Sequence, residues 1–133
     1  MALEAGFRFA VDEFPSNAEL AALWAVTWPF RATQDFQISL RACLLHITAR
    51  SGGKLVGFVK AASDGDMHVF LLDPTVHPDF SRQGLGTELV NRAAALSKER
   101  GAQYLHVDFL PHLKGFYAGC GFEPTEAGLM RLT

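Results

Sequence analysis

The pattern of apolar and polar positions divides the chain into alternating strand-like and helix-like stretches. Phe7, Phe9 and Val11 alternate with Arg8 and Ala10, a period of two that predicts a first strand. From Ser16 the period lengthens. Leu20, Leu23, Trp24 and the run from Val26 to Trp28 form a helical stripe, with Ser16 as N-cap and Glu19 three residues on to close a capping box. Pro29 is expected to end that helix. A second helix is expected between about Gln34 and Leu45, turning Phe36, Leu40 and Cys43 inward. Leu45 to Arg50 and Lys54 to Ala61 are strand-like runs joined by Ser51-Gly52-Gly53, a hairpin signal. Asp64-Gly65 supplies a further turn before a strand from Met67 to Asp73. Leu85, Leu89, Ala93 and Leu96 then mark an amphipathic helix that stops near Gly101. Tyr104 to Phe109 alternates again, a short helix starts near His112 and is punctuated by Gly121, and a last strand is expected near Leu132.

The resulting order, β-α-α-β-β-β-α-β-α-β, predicts a mixed α/β (α+β) fold with a largely antiparallel central sheet flanked by helices. Only the passage from Met67 to Phe109 has the length of a parallel crossover. A chain of 133 residues without repeat, low-complexity tract or linker is expected to fold as one domain, residues 1–133.

Composition narrows the partners. With 49% apolar residues, 20% charged residues and a net charge of −2, the chain gives no sign of a nucleic-acid surface. Its start lacks a signal-peptide pattern, and no apolar run approaches the roughly 20 residues of a membrane span, so no membrane partner is expected. Cys43 and Cys120 fit neither a zinc pattern nor a disulfide framework, and the five histidines lack metal-site pairing. A cytoplasmic protein without a metal is expected, and a homodimer is an assembly that the sequence allows.

The chemistry gathers around FLLDPTVHPDFSRQGLG, Phe70 to Gly86, followed at once by the helix TELVNRAAALSKER. A helix start leaves backbone N–H groups unpaired and carries a partial positive charge. Gly84 and Gly86 would let an anion approach that backbone, and Arg82 can add a charge-assisted bond. The bland alternative is that the glycines only turn the chain into the helix. No Lys-Ser or Lys-Thr follows the glycines, as a P-loop requires, and Leu89 stands where a dinucleotide fingerprint has its third glycine.

VHPDFSRQGLGTELV resembles the acyl-CoA-binding signature of the GNAT superfamily of N-acetyltransferases, a Val-x-Pro followed by Arg/Gln-x-x-Gly-x-Gly/Ala between a central strand and a helix. Val76 and Pro78 match the Val-x-Pro, and Arg82, Gln83, Gly84, Leu85 and Gly86 match most of the loop, with Thr87 the next N–H donor. GFYAGCGF is similar to the Phe-Tyr-x-x-x-Gly-Phe segment near the C-terminus of many members, with Tyr117 at the tyrosine. The resemblance covers nearly the whole chain. It implies the GNAT fold, acetyl-CoA as co-substrate and a small-molecule or peptide amine as acceptor. It further implies that residues 82–87 hold the coenzyme A pyrophosphate, that the Val76 main chain pairs with the pantetheine arm, and that Tyr117 protonates the departing thiolate. Transfer would proceed by direct attack in a ternary complex.

Departures from the family pattern bear on the same sites. Ser81 stands at the first place of the loop motif, and Leu110 where many members have an asparagine seven residues before the tyrosine. Pro74 occupies the place of a backbone donor to the acetyl carbonyl, and proline has no N–H. Phe70 occupies the place of a glutamate base, leaving His68, Asp73 and Asp108 as water-bridged candidates. Tyr117 also lies on an apolar stripe with Leu113, Phe116 and Cys120, so core packing is its alternative role. TWPFRATQDF brings Trp28, Phe30 and Phe36 to an acceptor pocket, or else closes the core. An acyl-CoA-binding module of the same fold with little or no turnover is the competing reading. A nucleotide-binding regulator is a third.

Overall fold

The computed structural model describes residues 6–28 and 35–133. Phe30, expected in the acceptor pocket, and Pro29, expected to stop the first helix, lie outside the described residues. Strand β1 (Arg8–Val11) leads to helix α1 (Asn17–Thr27). The expected cap is present in full. The Ser16 hydroxyl accepts from the Glu19 N–H at 3.1 Å, and the Glu19 carboxylate accepts from the Ser16 N–H at 3.0 Å. Helix α2 (Gln37–Ala42) is shorter than the pattern predicts and lacks a side-chain cap. Strands β2 (Leu45–Ser51) and β3 (Lys54–Ser63) form the expected hairpin, with Gly52 and Gly53 at positive φ. Strand β4 (His68–Val76), a 3-10 turn (Pro78–Phe80), helix α3 (Leu85–Glu99) and strand β5 (Tyr104–His106) complete the crossover. A second 3-10 turn (Pro111–Leu113) runs into helix α4 (Lys114–Gly119).

The five strands stand in chain order, β1-β2-β3-β4-β5. The first three pairings are antiparallel and β4–β5 is parallel, as the crossover length requires. Two expectations change. The strand expected over Tyr104–Phe109 ends at His106, and the last strand does not form: residues 122–133 carry neither helix nor strand. That stretch exposes Leu129, Met130 and Leu132, so its apolar residues have no sheet partner to bury them.

Each sheet face has its own core. On one face α3 lays Leu85, Leu89, Val90 and Ala93 on Ile47, Val59, Val69 and Leu71. Burying each large aliphatic side chain there contributes about 2 kcal/mol before entropy is counted. Gly57 of β3 lies directly beneath: a Cβ on it would stand 3.0 Å from Leu89 Cδ1 and 3.3 Å from Leu85 Cδ2. The missing side chain lets the first turns of α3 settle onto the sheet. On the other face α1 and α2 cover Leu55 and Phe58 with Leu20, Leu23, Trp24, Phe36 and Leu40. Arg50 of β2 anchors α1 through a two-pronged ion pair with Glu19, one prong at 3.2 Å. Hydrogen bonds from Arg50 hold the Glu19 carboxyl at about 2, well below its ordinary value, with the Ser16 N–H adding to the effect. Neither described helix of this face reaches β5. There His68, Phe70, Leu72 and Tyr104 stay exposed. Among the described residues no helix is long and apolar enough to cross a membrane.

Candidate active site

Three segments distant in sequence converge at the start of α3. The loop bends through two left-handed residues, Arg82 at φ 61° and Gly84 at φ 82°. Glycine takes that conformation freely, whereas Arg82 is held there at a cost. Gly84 is the N-cap of α3 and offers no side chain, and the Glu88 N–H closes the first helical bond to its carbonyl at 3.0 Å. The N–H groups of Leu85, Gly86 and Thr87 precede that first bond, so the α3 helix gives them no acceptor. Gly86 makes the close contact with the rest of the site: a Cβ there would lie 3.4 Å from Phe116 Cζ and 3.6 Å from Val76 Cγ2. The helix start, the end of β4 and helix α4 thus meet at one glycine.

β4 carries the second feature. It pairs with β5 only at His68↔Tyr104, Val69↔Leu105 and Phe70↔His106, while β4 continues to Val76. Past Phe70 its outer edge faces no strand among the described residues. On the inner edge the His77 N–H bonds to the Val56 carbonyl at 2.8 Å, directly opposite in the register. Antiparallel pairs alternate, so the neighbouring pair Val76↔Gly57 is the non-bonded kind. The Val76 N–H and C=O therefore point away from β3, toward the open edge. Just before, the register shifts: Lys60 pairs with Leu72 and Phe58 with Thr75, leaving Asp73 and Pro74 opposite Val59 alone. This bulge places Asp73 at φ 52° and leaves Pro74 without a donor.

Helix α1 reaches the bulge through Trp28. Its indole Nε1–H donates to Thr75 Oγ at 3.2 Å, and that hydroxyl donates to the Asp73 carbonyl at 2.8 Å. Trp28 is therefore tied to β4 beside the open edge. Phe36 is not. It is 5% exposed and packs edge-on against Trp24, so it closes the core rather than lining a pocket.

Tyr117 is buried at the centre of an aromatic group. Its ring stacks on Phe109 at 4.9 Å and meets Phe116 and Phe122 edge-on. The chain thus gives Tyr117 the packing role, yet its hydroxyl is not among the sealed polar atoms without a partner. Burial, and then the nearby Cys120, push its phenol above the ordinary tyrosine value, so it holds its proton at neutral pH. Burial likewise raises the Cys120 thiol, against a hydrogen bond with the Thr87 side chain.

The candidate bases separate. Asp73 lies 3.4 Å from Lys60 Nζ, in an ion pair. Asp108 is exposed beyond the end of β5. His68 bonds through Nδ1 to His106 Nε2 at 2.8 Å, a partner that the sequence reading did not single out. The polar residues at alternate positions Tyr104, His106 and Asp108 were the available signal. No group of three or more His, Cys, Asp or Glu side chains capable of holding a metal occurs among the described residues. A cavity of about 380 Å³ lies elsewhere, between α1 and the start of β3, lined by Ala22, Val26, Lys54, Leu55 and His77 among others. Tyr117 takes no part in it, and the converging backbone donors and the open β4 edge make the α3 start the better candidate for chemistry.

The fold is a shared one. Residues 7–122 match the model of the acetyltransferase (GNAT) family. An uncharacterized N-acetyltransferase of Pyropia yezoensis is 26% identical over 102 residues, 74% of this chain and 59% of its own length. The chain thus spans little more than half of that relative. A GNAT-family acetyltransferase of Streptococcus pneumoniae superposes with a TM-score of 0.76 at 23% identity, covering 96% of this chain and 99% of that one. An aminoglycoside N-acetyltransferase solved with CoA superposes with a TM-score of 0.74 at 18% identity, covering 96% of each. The uncapped glycine turn into α3, the open β4 edge and the match over residues 7–122 lead to one conclusion: the chain belongs to the GNAT acetyltransferase family.

Proposed function

We propose that this protein is an acetyl-CoA-dependent N-acetyltransferase that moves an acetyl group to a primary amine of a small molecule or peptide. The observation that carries the reading is the uncapped start of α3, in contact through Gly86 with both Val76 and the Phe116–Tyr117 helix. The N–H groups of residues 84–87, with Arg82 beside them, suit the coenzyme A pyrophosphate. The outward N–H and C=O of Val76 suit an amide of the pantetheine arm, which would extend β4 as a missing strand does. That path leads the thioester along the open edge toward the bulge. The amine attacks the carbonyl carbon, the C–S bond breaks, and Tyr117 protonates the leaving sulfur. Trp28 borders the acceptor side. The solved complex of an aminoglycoside N-acetyltransferase with CoA supports the coenzyme, and small amines as the acceptor class.

The test is release of free thiol from acetyl-CoA against four amines: 2-phenylethylamine, spermidine, kanamycin and an alanyl peptide with a free N-terminus. The reading predicts amine-dependent thiol release with at least one of them. CoA binding without thiol release for any amine would favour the binding module instead.

A further inference from the structure

The side of the sheet bared at β4 and β5 carries a cluster that neither the core nor the coenzyme path uses. His68 and His106 are cross-strand neighbours on the two strands, joined Nδ1 to Nε2 at 2.8 Å. The His68 ring stacks on Tyr104 at 5.4 Å, and the His106 ring lies nearly parallel to Phe70 at 4.5 Å. Phe70 and Tyr104 are 50% and 57% exposed, so this face is open to a substrate. Phe70↔His106 is also the last pair before β4 and the following chain part. The cluster therefore stands at the apex of the open edge, on the strand that carries Val76 and the bulge. His46 shows the contrast: it is 1% exposed, its Nε2 bonded to the Glu13 carbonyl, a packed core histidine.

Acetylation of an amine must dispose of protons. An alkylammonium loses two in becoming an amide: one replaces the acyl group on sulfur, and one must leave the site. We propose that the hydrogen-bonded imidazoles of His68 and His106 accept that second proton from the amine and pass it to water. The proposal rests on the acetyltransferase reading above. An N–H···N bond needs one ring nitrogen to donate and the other to accept. With both rings neutral, either tautomer leaves one outer nitrogen, His106 Nδ1 or His68 Nε2, free to accept a proton. A proton taken up on His106 Nδ1 releases its Nε2 proton to His68, which loses one from Nε2 to solvent. The freed amine attacks the thioester, and the adduct's remaining surplus proton balances the one that Tyr117 gives to sulfur. Among the described residues, the other charged groups on this side are committed or outlying. Lys60 and Asp73 form an ion pair, Asp108 lies two residues beyond His106, and Asp64 and Asp66 belong to the turn before β4. Ser63 is engaged with the His68 carbonyl at 2.7 Å.

The experiment is the pH profile of kcat at saturating amine for wild type, His106→Gln and His68→Asn, using the panel amine with the fastest thiol release, with CoA affinity measured by calorimetry on the same samples. His106→Gln is expected to lower kcat at neutral pH by about 10- to 100-fold and to remove the acid limb of the profile, with CoA affinity unchanged. His68→Asn is expected to give a smaller loss of the same kind. Free imidazole is expected to restore part of the rate in His106→Ala, which a packing role would not allow. An acid limb retained in both variants with kcat within threefold of wild type overturns the proposal. No thiol release from wild type with any amine overturns the acetyltransferase reading itself, and the proposal with it.

Discussion

The two halves of the sheet are built for different ends. Strands β1 to β3 pair over most of their length. Helix α3 packs on β2 and β3 from one face, α1 and α2 cover β3 from the other, and Arg50 ties β2 to α1. Strands β4 and β5 share three residue pairs, then part, and leave one face bare. Within the first half β2 and β3 are paired along both edges. The second leaves donors at Val76 and at the α3 start unsatisfied by strand or cap, and groups its imidazoles on the open side. Where backbone groups stay unpaired, a ligand can take the place of the missing partner. On the proposed function, the sealed half is the scaffold and the open half carries the chemistry.

The largest expected effect separates the halves. Gly84→Glu places a carboxylate at the anion site without a clash, since nothing lies within 4 Å of the added Cβ. CoA affinity should fall by more than about 100-fold in calorimetry, while the left-handed φ of 82° costs about 1 kcal/mol of stability. Tyr117→Phe comes next. It keeps the stack on Phe109 and removes only the hydroxyl, so kcat should drop about 10- to 100-fold with CoA affinity and melting temperature nearly unchanged. Because burial raises its phenol, activity should also persist to a higher pH than an ordinary tyrosine would allow.

In the sealed half the readout is stability. Gly57→Val drives methyl groups into Leu85 and Leu89, and denaturant unfolding should show a loss of about 1–3 kcal/mol. Glu19→Gln is the smallest change. Glu19 falls from an ordinary 4.5 to about 2 in the fold, so its ion pair stabilises fully above pH 4.5 and is lost as pH falls toward 2. Its side chain is 36% exposed, and solvent screening reduces the effect to about 1 kcal/mol. The variant's stability should be flatter than wild type's between pH 4.5 and 2, measured by urea unfolding. A loss of CoA affinity in Glu19→Gln would break the division between the halves.

The sequence made local features legible and long-range ones not. Ser16 and Glu19 cap α1 through bonds three residues apart, and Gly52 and Gly53 turn a hairpin by their own φ, so the pattern contains both. Gly84, Gly86 and Tyr117 were visible as motifs for the same reason. The bulge at Asp73–Pro74 depends on the register with β3, and the His68–His106 bond joins residues 38 apart. Neither has a local signature. Phe36 is legible in two ways, inward on the helix stripe or as a pocket aromatic, and its packing against Trp24 decides for the core. The strand expected near Leu132 failed for a matching reason: apolar residues can suggest a strand, but pairing makes one.

Calorimetric titration of wild type and Gly84→Glu with CoA decides whether the uncapped turn into α3 holds the pyrophosphate, with thermal melts on the same samples as the control for folding. One CoA bound per chain is expected in wild type, and no measurable heat in the folded variant. Equal affinity in the two proteins, or no binding to wild type, would contradict that role for the turn.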